Sequence, residues 1–95
     1  MNLYLVYQRV DKDYDTYDSF VVCACSEHIA RVTHPATGRQ LCIDYDGYFL
    51  LDGEGTAFTP LYNWVDHIGD VNVTLLGEAD ASISAGIVCR SFNAG

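Results

Sequence analysis

The sequence predicts an α+β fold: a mainly antiparallel sheet of four to six strands with one short helix packed on a face. Three observations carry this. Two apolar, β-branched runs sit at the N-terminus with a polar stretch between them. A single capped helical segment follows. A cleanly alternating run, VNVTLLGEA, lies near the C-terminus. Ninety-five residues fit one domain spanning 1–95, with a small core and stability that depends on good packing.

LYLVYQRV (Leu3 to Val10) is rich in aliphatic, aromatic and β-branched residues and reads as a strand. SFVVCAC (Ser19 to Cys25) reads as a second, so the pair predicts an antiparallel hairpin. The segment between them, DKDYDTYDS, is then its loop or extended tip. It gathers Asp11, Asp13, Asp15 and Asp18 around Tyr14 and Tyr17. No Asn-Gly or Asp-Gly marks the turn, so register stays open. SEHIARVTHP (Ser26 to Pro35) predicts a short helix. Ser26 can cap it, Glu27 suits the positive end of the dipole, and Pro35 stops it at or before His34. A helix of about two turns is unstable alone and must dock on the sheet.

ATGRQ reads as a turn. LCIDY and YFLL flank Asp46-Gly47, a hairpin signal. DGEGTAFTP is a loop broken by Gly53 and Gly55. LYNWVDHIGD reads equally as one helical turn or as a loop packed through Trp64 and Ile68. In the run from Val71, the residues Val71, Val73 and Leu75 share one face, and Asn72 and Thr74 the other. DASISAG is a polar connector, and GIVCRSF (Gly86 to Phe92) is a final strand.

Composition excludes several function classes. Hydrophobic residues make up 49% and charged residues 19%, which argues against intrinsic disorder. The formal charge is -8, with cations only at Arg9, Lys12, Arg31, Arg39 and Arg90. Direct binding of DNA or RNA needs clustered cations, so it is not expected, and neither is an anionic membrane surface. Basic proteins fit as partners, because an acidic surface speeds their encounter. MNLYLVYQRV has no basic n-region, and no apolar run reaches transmembrane length, so a cytoplasmic setting is expected. Cys23, Cys25, Cys42 and Cys89 are then expected to be reduced.

YLVYQ, YDTYDSFVV, EHIARVTHP, VNVTLLGEA and the terminal SFNAG together resemble a family of small, uncharacterised proteins carried by bacteriophages and prophages. The shared features are a YDTYDS segment, a short helix ending in HP, and a C-terminal SFNAG. The resemblance covers residues 3–35 and 71–95 and is weak over 36–70, where this chain is longer. It implies a phage context, and so the cytoplasm of a bacterial host cell, but no catalytic residues. Small acidic phage proteins often inhibit host defences, anti-CRISPR proteins among them.

Each candidate chemistry has a plainer competitor. Asp11, Asp13 and Asp15 have the first ligand spacings of a calcium loop. The sixth position, which needs Gly, is Thr16, and the twelfth, which needs Glu, is Val22. A solvated turn is the simpler account. Cys23 and Cys25 share a face of a predicted strand, and Cys89, His28 and His34 could approach them. Zinc typically wants paired knuckles, and this C-x-C has no second pair. Buried cysteine also serves as a small hydrophobe. His34 before Pro35 reads as a helix C-terminal residue suited to the negative dipole end. Acids around the turns, Asp44, Asp46, Asp52 and Glu54, could form a catalytic pair, but solvated turn acids are commoner. No metal, cofactor or enzymatic activity is expected.

What is left is the surface. Seven Tyr residues include Tyr14, Tyr17, Tyr45 and Tyr48 beside acids. Tyr offers large contact area at low entropic cost, and spaced carboxylates can imitate phosphates. The expected partner-binding residues are Asp11, Asp13, Tyr14, Asp15, Tyr17, Asp18, Asp44 and Asp46. The expected function is inhibition of a host protein with a basic surface, such as a nucleic-acid-binding defence complex. The alternative is a small enzyme or metal-binding domain using the Cys/His set. Self-association stays open.

Overall fold

The computed structural model describes residues 1–10, 16–50 and 63–93. Strands β1 (Asn2–Tyr7) and β2 (Thr16–Ala24) are followed by helix α1 (Glu27–Arg31) and strands β3 (Asn72–Glu78) and β4 (Gly86–Asn93). They form an antiparallel four-stranded sheet in the order β3-β1-β2-β4, with one short helix among the described residues, so the architecture is a β-rich α+β fold.

The N-terminal hairpin is the centre of the sheet. Tyr4 faces Val22 and Val6 faces Phe20 across it. These side chains are buried and carry the core with Ala24. Over them lie Ala30 of α1, Val32, Leu41, Phe49, Trp64, Val65 and Val71. Phe20 is 1% exposed, and its ring meets Trp64 edge-on at 5.5 Å, a geometry that aromatic pairs favour.

Strand β2 begins at Thr16 rather than Ser19, so Tyr17 and Asp18 are strand residues and not part of the loop. A bulge explains why alternation hid this. Tyr17 pairs with Phe92 and Ser19 with Ser91, which leaves Asp18 as an extra residue. Strict alternation would put Tyr17 on the face of Ser19. Past the bulge it turns to the core side, packing on the cluster, with its ring 4.7 Å from that of Phe92 and tilted 51° to it. Further bulges leave Leu76 in β3 and Val88 in β4 without a cross-strand partner.

Ser26 caps α1 as expected: its Oγ accepts from the Ile29 N–H at 3.2 Å. The helix ends earlier than Pro35 requires. Thr33 turns its hydroxyl back onto the Ile29 carbonyl at 2.6 Å. His34 is therefore not a helix-terminal residue. It is buried in the following loop, where Nδ1 accepts from the Ala36 N–H at 3.0 Å. Arg31 pairs with Glu27 within the helix at 2.9 Å and ties the helix to the residue before β3, donating to the Val71 carbonyl at 2.6 Å. Replacing Ser26 by alanine removes the cap and should cost about 1 kcal/mol. A shift in urea midpoint, with unchanged slope, measures it; an unshifted midpoint would show that the cap contributes nothing.

The connection 79–85 carries the chain past the ends of β1 and β2 to the opposite sheet edge. Ala79 N–H donates to the Met1 carbonyl at 3.0 Å, and the Cys23 thiol approaches the Ile83 carbonyl at 4.0 Å. Within it, the Ser82 N–H donates to Asp80 at 2.8 Å and holds that carboxyl below the usual carboxylate range, together with a side-chain hydrogen bond from Ser82.

Candidate functional site

The expected interface falls in two places. Asp11, Asp13, Tyr14 and Asp15 lie outside the described residues, as do Asp52 and Glu54. Asp18 is exposed on the β2 bulge, with the Ser91 hydroxyl 3.5 Å from its carboxylate. Tyr17 is half-buried against Phe92. Asp44 and Asp46 stand together in a second, fully described feature, the hairpin tip from Ile43 to Phe49.

This tip forms where Asp46-Gly47 predicts a turn. Ile43 and Phe49 make an antiparallel bridge, and the Asp44 N–H donates to the Tyr48 carbonyl at 2.9 Å. The Asp44 carboxylate accepts from the N–H groups of Asp46 and Tyr48, both at 2.9 Å. Asp thus serves as the local organiser of the turn it occupies. Gly47 has φ +91, a left-handed conformation that glycine adopts without strain.

The tip is braced by the segment 63–71, a loop that includes a 3-10 turn at Ile68–Asp70. The Phe49 N–H donates to the Asp66 carbonyl and the Ile68 N–H to the Gly47 carbonyl, each at 2.8 Å. His67 sits at the junction. Its Nε2 is 2.7 Å from the Asp46 carbonyl, its Nδ1 accepts from the Gly69 N–H at 2.8 Å, and its ring meets that of Tyr48 edge-on at 4.7 Å.

The result is a fixed turn with an acidic, aromatic crest. Asp44, Tyr45 and Asp46 are all exposed, and Tyr45 projects fully into solvent at 109% of its reference accessibility. Tyr48 is 49% exposed beside them. His67 is the residue that sequence reasoning missed. Asp46-Gly47 announces a turn, but nothing local ties it to an imidazole twenty-one residues away.

The Cys/His set is dispersed. All four cysteines are free. Cys23 is buried in β2, whereas Cys25 lies past the strand's end and is exposed, so the two do not present a common face. Among the described residues no group of three His, Cys, Asp or Glu gathers to hold a metal ion. A cleft of about 220 Å³ opens beside Cys25, walled by Ile29, Thr33, Gln40 and Gly86, and its described lining includes no His, Asp or Glu. No described helix is long and apolar enough to cross a membrane. Comparison of the chain with protein-family models, curated proteins and solved structures finds no match.

Proposed function

We propose that this chain is a phage-type inhibitory protein that binds a host protein through an acidic, tyrosine-bearing surface. The observation that carries the reading is Tyr45, standing fully exposed between the exposed carboxylates of Asp44 and Asp46 on a turn held by its own hydrogen bonds. An aromatic side chain left in water gains area when covered, and a turn that is already ordered loses little entropy on binding. The net charge of -8 steers such a surface toward a basic partner. A nucleic-acid-binding defence complex, of the kind anti-CRISPR proteins occlude, has the required cationic face. The sequence resemblance to phage and prophage proteins supplies the setting.

The test compares the wild-type chain with a triple variant, Asp44→Asn, Tyr45→Ala and Asp46→Asn. Asn keeps the acceptor oxygen that organises the turn, so folding should be intact. Tagged wild-type protein should recover a basic, nucleic-acid-binding complex from host lysate and block its binding to nucleic acid. The triple variant should lose at least about tenfold in affinity, from an anchor contact worth more than ~1.4 kcal/mol. Equal recovery and equal inhibition by both proteins would remove this turn from the interface.

A further inference from the structure

We infer that His67 is a positioning residue for the Asp44–Tyr48 turn, and that it holds the turn only while its ring is neutral, so that protonation releases the crest. The inference rests on the partner-binding reading of this turn only for its biological consequence; the structural switch stands without it.

The geometry fixes the tautomer. Gly69 has only an N–H to offer at 2.8 Å from Nδ1, so Nδ1 must be the lone-pair nitrogen. Nε2 then carries the proton and donates it to the Asp46 carbonyl at 2.7 Å. Both nitrogens are used, one as acceptor and one as donor, which only the neutral ring can do. An imidazolium would direct a second N–H at the Gly69 N–H. The ring must then leave, taking with it the cap of the 3-10 turn and the bond to Asp46.

The ring lies close against two glycines. A Cβ on Gly47 would lie 2.9 Å from Nε2, and one on Gly69 would lie 2.9 Å from Nδ1. Two glycines therefore form the walls of the imidazole slot, and Tyr48 covers it edge-on. The titratable side chains on the two segments that meet here are Asp44, Tyr45, Asp46 and Tyr48 on the hairpin and Asp66 and Asp70 beside His67. Each carboxylate among them is drawn toward a cationic ring. Those attractions give a protonated His67 alternative partners once it leaves the slot.

Nuclear magnetic resonance on the free chain tests this without any partner. The pH is lowered from about 8 to about 5, while the His67 ring resonances are followed directly. The amides of Asp46, Tyr48 and Gly69 should shift with the same midpoint as the ring. The protection of the Tyr48 and Ile68 amides, measured against the intrinsic rate at each pH, should fall by about tenfold, as a local opening does, while the core amides of Val6 and Val22 stay protected. His67→Asn can still cap Gly69 through its side-chain oxygen but cannot reach Asp46. Its crest should already be open at neutral pH and show no titration. Three results would overturn the inference: a ring that titrates without moving these amides, a ring that stays neutral to pH 5, or a core that opens in the same step. Loss of the partner interface in the triple variant, with the titration intact, would leave the switch standing and remove only its use.

Discussion

Replacing Phe20 by alanine is expected to bring the chain to the edge of unfolding. Phe20 is 1% exposed, lies opposite Val6 at the centre of the sheet, and makes the edge-on contact with Trp64. Truncating a phenylalanine in such a site costs about 3–5 kcal/mol, transfer and cavity together. A domain of this size has only about 5–15 kcal/mol to lose. The loss should be read from urea denaturation followed by Trp64 fluorescence, since the indole loses its ring neighbour in the same substitution. Leu75→Ala is the control: Leu75 is 59% exposed on an edge strand, and surface changes of this kind stay within about 0.5 kcal/mol. If both variants shift the midpoint equally, the core is not where the buried cluster places it.

Gly47→Ala is expected to have the second largest effect, and by a different route. The backbone there has φ +91, and the added Cβ would meet His67 Nε2 at 2.9 Å, His67 Cε1 at 3.0 Å and Ile68 Cγ2 at 3.1 Å. The imidazole cannot yield freely, because it is bonded at both nitrogens. Backbone strain of this type costs about 1–3 kcal/mol. The turn should relieve it by expelling His67. The variant should therefore resemble the protonated wild type, with Tyr48 losing the ring-current shift from the imidazole and the crest amides exchanging faster, while the sheet amides are unchanged. An unshifted unfolding midpoint together with a preserved Tyr48 signal would show that the slot is looser than these distances describe.

The two substitutions probe parts of the molecule that the sequence reveals to different degrees. The core strands are legible because their cause is local. Tyr4, Val6, Phe20 and Val22 alternate with the period of a strand, and that period alone puts them on one face. Ser26 announces a helix start for an equally local reason, since its side chain bonds three residues ahead. Asp46-Gly47 announces its turn because only a few residue types tolerate that backbone.

Where local signals compete with tertiary ones, the reading slips. Tyr17 and Asp18 look like loop residues beside a run of acids, yet the pairing of β2 with β4 draws them into the sheet and the bulge at Asp18 turns Tyr17 inward. His34 looks like a helix terminus, yet the backbone leaves the helix early and buries the ring against Ala36. For Tyr17 a distant strand outweighs a weak local preference; for His34 the turn that follows the helix does.

By itself, then, the sequence determined the antiparallel hairpin, the capped helix, the strand near the C-terminus and the net acidic charge. Each follows from spacing or charge within a few residues. The tertiary structure alone decided the strand order β3-β1-β2-β4, the inward turn of Tyr17, and the slot between Gly47 and Gly69 that seats His67. The physical reason is range. Periodicity, caps and turns are settled by neighbours in the chain. Register, bulges and the bonding of an imidazole to a carbonyl twenty-one residues away are settled only when the closed core brings those groups within hydrogen-bonding distance.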